Sequence, residues 1–316
     1  MSAPKIIAVL GPTASGKTAL AVELCRRLDG EAVSCDSMQI YRDMNIGTAK
    51  PTSEEMRGIP HHMLDICAPE EDYSVARYVR EAEECINDIL SRGKVPVIVG
   101  GTGLYADSLI SGLTFAERQE DMELRRKLTV RYETEGGEVL HAELAKIDPT
   151  AAARLHPNDG RRIIRALEIY ALTGETITEH DRRTRETPDR FDALRLVLFP
   201  EPRELLYTRI DMRVDAMLEE GLLSEVEELL ARGLSPECTA LQAIGYKEFV
   251  GALRGECTVA EAAEELKRAT RRYAKRQLTW FRRNPAAQFL SYTDAEGFVA
   301  CIDRAEALAR EHLQRE

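Results

Sequence analysis

The run Gly11-Pro12-Thr13-Ala14-Ser15-Gly16-Lys17-Thr18 follows directly on an apolar stretch, IIAVL at 6–10. Glycines at Gly11 and Gly16 let successive backbone N–H groups turn toward phosphate oxygens, and a following helix adds its partial positive charge. Lys17 neutralises phosphate, and the Thr18 hydroxyl can sit on a magnesium ion, Mg2+. Strand, loop and helix together spell a P-loop, so these eight residues are the candidate phosphate-binding set. The loop does not name the reaction.

A nucleotide hydrolase holds its magnesium with a further Asp that ends another apolar strand. Here the run VPVIV at 95–99 leads into Gly100-Gly101-Thr102-Gly103 without a carboxylate. Two readings stay open. Either the acid lies elsewhere, as in small-metabolite kinases, or the loop grips a diphosphate that departs from carbon. Asp36 closes the second strand-like run, in SCDSMQIY, where α/β folds present reactive groups. It serves as a magnesium ligand in the first reading and as a base in the second. An Asp-Ser turn is the plain structural alternative.

The elements that must position these groups follow from periodicity. Leu20, Leu24 and Leu28 form one stripe of a helix after the loop, and 74–92 reads as an amphipathic helix capped by Ser74 and stopped by Gly93. The continuous apolar run at 95–99 suits a parallel strand covered on both faces. The expected fold is α/β, a doubly wound parallel-sheet core. After Gly112 the chain turns charged and mostly helical, and a strand-like run returns at 194–199, LRLVLF, followed by helical segments to the end. This predicts a core over 1–115, a helical insertion over 116–190, and a second core part over 191–316 carrying a basic helix at 266–283. His61-His62 reads as a turn or loop pair.

Composition is that of a globular chain: 316 residues, 44% hydrophobic and 31% charged. No apolar stretch approaches the roughly 20 residues of a membrane span, so no membrane role is expected. The short apolar run before the loop is not a secretory leader. Seven dispersed cysteines read as reduced thiols in a cytoplasmic protein, and no clustered ligands suggest zinc. The net charge of −11 argues against nucleic acid, but its distribution does not. Between 266 and 293 there are eight basic residues, Lys267, Arg268, Arg271, Arg272, Lys275, Arg276, Arg282 and Arg283, and no acid. Tyr273, Trp280 and Phe281 are interleaved with them, which suits phosphate contact and base stacking, although Trp280 and Phe281 individually read as core. Arg161, Arg162 and Arg165 follow a helix start at Asn158-Asp159-Gly160, where cations oppose the macrodipole. Cations placed against local preference point to function.

With these residues in view, the chain resembles the tRNA dimethylallyltransferases, also called tRNA isopentenyltransferases. The resemblance rests on GPTASGKT, DSMQIYRDMNIGTAKP (36–51), PHHMLDI (60–66), VGGTGLY (99–105), HPNDGRRIIRALEIY (156–170), IGYKE (244–248) and ATRRYAKRQLTWFRR (269–283), in family order. It implies a P-loop core with a helical insertion that contacts tRNA. The implied reaction moves the dimethylallyl group of dimethylallyl diphosphate to N6 of the adenine 3′ of the anticodon, releasing pyrophosphate. Asp36 would then be the base, with Thr18 and Arg213 also catalytic and Mg2+ bridging Thr18 and the diphosphate. The resemblance implies RNA contacts at Asp36, Ser37, Met38, Gln39, Thr102, Arg125, Arg161, Arg162, Ile163, Ile164 and Arg165. It adds Gln242, Ala243, Ile244, Gly245, Tyr246, Lys247, Thr270, Arg271, Arg272, Tyr273, Ala274, Lys275, Arg276 and Gln277. The expected partners are the tRNA anticodon stem-loop and dimethylallyl diphosphate, with a monomeric chain and no obligate protein partner. Competing readings are an adenylate prenyltransferase acting on free AMP, ADP or ATP, a P-loop small-metabolite kinase, and a non-catalytic RNA-binding protein.

Overall fold

Among the described residues, six strands, all paired in parallel, form one sheet of order β3-β2-β4-β1-β5-β6. The computed structural model describes residues 3–112, 122–186 and 188–315. The elements run β1 (Lys5–Leu10), α1 (Lys17–Leu28), β2 (Gly30–Ser34), α2 (Ser53–Met56), β3 (His61–His62), α3 (Val75–Ser91), β4 (Val95–Gly100) and α4 (Gly103–Ser111). Next come α5 (Met122–Glu135), α6 (Gly137–Ile147), α7 (Pro149–Ala152), α8 (Gly160–Thr173) and α9 (Ile177–Glu186). The chain then returns through β5 (Asp192–Pro200), α10 (Arg203–Glu219), α11 (Leu222–Ala231), α12 (Lys247–Leu253), α13 (Val259–Phe281), β6 (Gln288–Tyr292) and α14 (Ala295–Gln314).

Two units separate: Met1–Gly112 with Asp189–Glu316, and Leu113–Pro188. The expected boundary at 115/116 lies outside the described residues. In the first unit, Ile7, Val9, Ala32, Val97, Val99, Leu196 and Leu198 project from one sheet face onto Leu20 and Leu24 of α1 and onto Ile302 and Ala305 of α14. The alternation of these positions is the period-two rule of strands. Behind the sheet, Tyr78 of α3 stacks on Tyr105 of α4 at 4.3 Å, and its hydroxyl donates to the Ser34 carbonyl at 3.0 Å. Coverage on both faces explains why the central strands read as unbroken apolar runs. Ser74 caps α3, as its sequence implied, by accepting the Arg77 N–H.

Two expectations need correction. His61-His62 is a short edge strand rather than a turn, with Ala32 opposite His61 and Val33 opposite His62. The C-terminal part is not wholly helical, because QFLSY forms β6 beside β5. Both are edge strands. A pair of residues has no periodicity to read, and β6 buries only Leu290 and Tyr292.

The helical unit has its own core, in which Leu128, Leu140, Leu144, Ile163 and Leu167 pack together. Buried Asp148 stitches it, accepting the Ala151 N–H at 2.9 Å and both the N–H and the hydroxyl of Thr178. No helix among the described residues is long and apolar enough to cross a membrane.

Candidate active site

The phosphate loop is built between the end of β1 and the start of α1. Gly16 occupies the N-cap of α1 with φ 81°, and no side chain caps that end, so the helix's first N–H groups remain available to an anion. The loop's carbonyls are held from outside. Arg209 Nε donates to the Ala14 carbonyl at 2.8 Å, and the Tyr292 hydroxyl donates to the Ser15 carbonyl at 3.0 Å. Ser15 Oγ is buried without a hydrogen-bond partner among the described residues. Lys17 Nζ donates to the Pro12 carbonyl at 3.3 Å. Burial pushes the Lys17 ammonium down to about 8; Asp36 opposes the shift and Arg213 adds to it. A desolvated ammonium beside a guanidinium is a site short of negative charge.

Asp36 follows the end of β2. Its Oδ1 accepts the N–H groups of Met38 at 2.9 Å and Gln39 at 3.4 Å, while Oδ2 accepts no hydrogen bond among the described residues. One oxygen therefore makes the turn, and the other is left for chemistry. Thr102 backs this turn: its Oγ1 accepts the Ser37 N–H at 3.2 Å, and its own N–H donates to the Cys35 carbonyl.

The missing strand-end acid has a steric cause. A side chain on Gly100 would begin 2.1 Å from the Cys35 carbonyl oxygen, and one on Gly101 would begin 2.2 Å from Gln277. A carboxylate has no room at Gly100, and at Gly101 it would have to displace the Gln277 amide. Gln277 fills that space instead, accepting the Thr13 N–H at 3.0 Å and donating to the Gly101 carbonyl at 2.8 Å.

A cavity of about 320 Å³ opens beside these groups. Thr13, Ala14, Lys17, Thr18 and Asp36 line one side of it, and Arg213 lines it with Ile210, Val214 and Met217 from α10. These three apolar side chains recur at helical spacing, which gives the cavity an apolar wall next to its phosphate end. Burial pushes the Arg213 guanidinium below its ordinary value, and Nη2 donates to the Ala49 carbonyl at 3.4 Å. Ser37, Met38, Gln39, Gln242, Ala243, Ile244, Thr270, Tyr273, Arg276 and Gln277 complete much of the lining.

Other residues in the same sequence blocks face elsewhere. Tyr246 is fully buried, and its hydroxyl donates to Glu225 at 2.6 Å. Ala274 is buried against Leu206 and Ile210. Gly245 has φ 106° and is buried, whereas Lys247 is exposed. In the helical unit, Arg161 and Arg162 are exposed, but the side chains of Ile163 and Ile164 belong to that unit's core. The side chains of Ile163, Ile164, Tyr246 and Ala274 are thus turned inward: a sequence block wraps around a helix, and only one of its faces meets solvent. Arg125 and Arg165 both reach fully buried Glu168, at 3.0 and 2.7 Å. Burial works against the Glu168 carboxylate, yet those two arginines hold it below the ordinary range.

Four of the eight basic residues between 266 and 293 meet acids outside that window. Lys267 pairs with Asp215 and Arg271 with Asp211, both from α10, while Arg268 and Arg272 pair with Glu265 one or two turns earlier. Phe281 behaves as a core residue, whereas Trp280 is only half-buried, with Nε1 donating to Asp107 at 2.7 Å. Sequence reasoning missed Arg209, Tyr292 and the apolar α10 wall, and gave no role to His61, which also lines the cavity. Arg209 left a signal, four residues before Arg213 on the same helical face, and so did the spacing of Ile210, Val214 and Met217.

A glycine-rich loop joining β1 to α1, on a parallel sheet beside a mixed polar and apolar cavity, defines a P-loop α/β protein. Comparison with known proteins narrows this. The IPP transferase family model matches residues 39–284, and an isopentenyl transferase model matches residues 4–68. The chain is 49% identical over 278 residues to a tRNA dimethylallyltransferase of Acetivibrio thermocellus, covering 88% of each. It is 48% identical over 292 residues to that of Halalkalibacterium halodurans, covering 92% of each. Among solved structures, it is similar to the full-length tRNA isopentenylpyrophosphate transferase of Bacillus halodurans, with a TM-score of 0.74, 44% identity and coverage of 98% and 97%. A eukaryotic dimethylallyltransferase acting on tRNA matches with a TM-score of 0.86 at 34% identity, over 98% of this chain and 79% of that one. The chain belongs to the IPP transferase family.

Proposed function

We propose that this chain transfers the dimethylallyl group of dimethylallyl diphosphate to N6 of the adenine immediately 3′ of the anticodon in tRNA, releasing pyrophosphate. One observation carries the reading. Asp36, with a carboxylate oxygen free of hydrogen bonds among the described residues, lines the same cavity as Lys17, Thr18 and the apolar residues of α10.

Adenine N6 is a weak nucleophile because its lone pair is delocalised into the ring. As that pair forms the bond to C1 of the allyl group, one N6 proton passes to Asp36. The C1–oxygen bond breaks, and its electrons leave with the diphosphate. Charge grows on the leaving group, so the loop amides, Lys17 and Arg213 stabilise the transition state more than the ground state. The apolar wall of Ile210, Val214 and Met217 receives the hydrocarbon.

The donors suit a magnesium ion held mainly by substrate: Thr18 supplies a hydroxyl on the cavity, and no cluster of three His, Cys, Asp or Glu side chains exists among the described residues to cage one. When bound there, the ion would neutralise diphosphate oxygens. Arg276 with Tyr273, and Arg161 with Arg162, are the proposed RNA contacts.

The test offers labelled dimethylallyl diphosphate with magnesium to unmodified tRNA and, separately, to AMP. Label in tRNA alone supports the reading. Label in AMP keeps the chemistry and overturns the substrate, and label in neither overturns both.

A further inference from the structure

Glu225 does not itself line the cavity, yet it takes more hydrogen bonds than Asp36. Its carboxylate accepts the N–H groups of Asn45 at 2.8 Å, Ile46 at 2.9 Å and Gly47 at 3.0 Å, and the Tyr246 hydroxyl at 2.6 Å. Three consecutive amides converging on one carboxylate form an anion nest that the chain fills with its own side chain. The carboxylate is rigidly presented, because its neighbours on α11, Leu222 and Val226, are fully buried. Close packing reinforces the arrangement: a side chain on Gly47 would begin 2.4 Å from the Tyr246 ring.

The other side of this loop faces the cavity, where Gly47, Thr48 and Ala49 form part of the wall. The Ala49 carbonyl receives Gln39 Nε2 at 3.0 Å and Arg213 Nη2 at 3.4 Å, and the Thr48 carbonyl also receives Gln39. Glu225 thus connects, through one loop, to two cavity side chains.

We propose that Glu225 is a positioning residue: its carboxylate sets the 45–49 loop, and the Ala49 carbonyl in turn orients Arg213 and Gln39 toward substrate. This rests on the reaction proposed above. Charge-assisted hydrogen bonds to three amides and a hydroxyl hold the loop more firmly than neutral ones would. Losing them lets the Ala49 carbonyl shift, and a misplacement of about 1 Å costs roughly a hundredfold in rate.

The experiment is chemical rescue of Glu225→Ala, which leaves the amides and Tyr246 facing a carboxylate-sized gap. Two quantities are read with and without acetate: kcat/KM for dimethylallyl diphosphate, and calorimetric affinity for inorganic pyrophosphate. The expected result is a roughly hundredfold fall in kcat/KM, weaker pyrophosphate binding, and recovery of both with acetate, which leaves the unsubstituted chain unaffected. Unchanged constants, or losses that acetate fails to restore in a folded protein, overturn the proposal. If Glu225→Ala does not fold, the neutral isostere Glu225→Gln decides: folded protein with unaltered pyrophosphate affinity overturns it, and weakened affinity upholds it. Should the unsubstituted chain fail to prenylate tRNA, the proposed reaction falls, while a pyrophosphate affinity that depends on Glu225 would still uphold the loop assignment.

Discussion

Gln277 accepts the backbone N–H of Thr13 at 3.0 Å across 264 residues of sequence, and through its amide nitrogen it also holds the Gly101 carbonyl. The basic helix α13 is thereby pinned to the phosphate loop and to the end of β4 by a single buried side chain.

Replacing Gln277 by Leu strands a loop N–H and a buried carbonyl. The expected cost is about 1–3 kcal/mol of stability, and pyrophosphate affinity should fall with it. Thermal unfolding and calorimetry together check this. A variant as stable and as tightly bound as the parent would show that the bridge does not hold the loop.

Asp36→Asn keeps an oxygen for the turn that Met38 and Gln39 close, but removes the basicity. Turnover should drop by roughly 10²–10⁴, with tRNA affinity and melting temperature close to the parent's. Single-turnover prenyl transfer is the measurement. An Asn variant that reacts at the parental rate would leave Asp36 with only its role in the turn.

Burial disfavours the charged form of Lys17 and pushes its ammonium down to about 8. In the free protein at pH 8 a sizeable share is neutral, and an arriving diphosphate favours the ammonium. Binding at pH 8 should therefore take up more protons than it does in Lys17→Arg, and the difference should shrink as the pH falls. Calorimetry in two buffers of different ionisation heat counts the protons. Equal uptake by both proteins at pH 8 contradicts the perturbed lysine.

Among the basic residues of α13, Arg271 and Arg272 already face Asp211 and Glu265, whereas Arg276 lines the cavity and lies 5.6 Å over the Tyr273 ring. Arg276→Ala should weaken tRNA binding and reduce the salt slope by about one. Arg271→Ala should do less, since its charge is neutralised within the chain. Filter binding across a salt series compares them, and the opposite ranking would move the RNA grip away from the cavity.

The parts legible in sequence were those made by neighbours in the chain. The step from β1 through Gly11–Thr18 to α1 is local, so residue type and spacing suffice to specify it. The unbroken apolar run of β4 announces a strand covered on both faces, and the apolar run before Asp36 is likewise a strand, β2. Tertiary structure decided what depends on distant partners. β3 is a strand only because β2 lies beside it, and β6 only because β5 does. Four of the eight charges between 266 and 293 find carboxylates, two of them on α10, where no local window could count them. Ile163 and Ile164 share a block with Arg161 and Arg162 but point inward, since helical rotation, not adjacency, assigns the face. The Glu225 carboxylate beneath the 45–47 loop left no motif at all: hydrogen bonds to backbone amides constrain the partner's position and not its residue types.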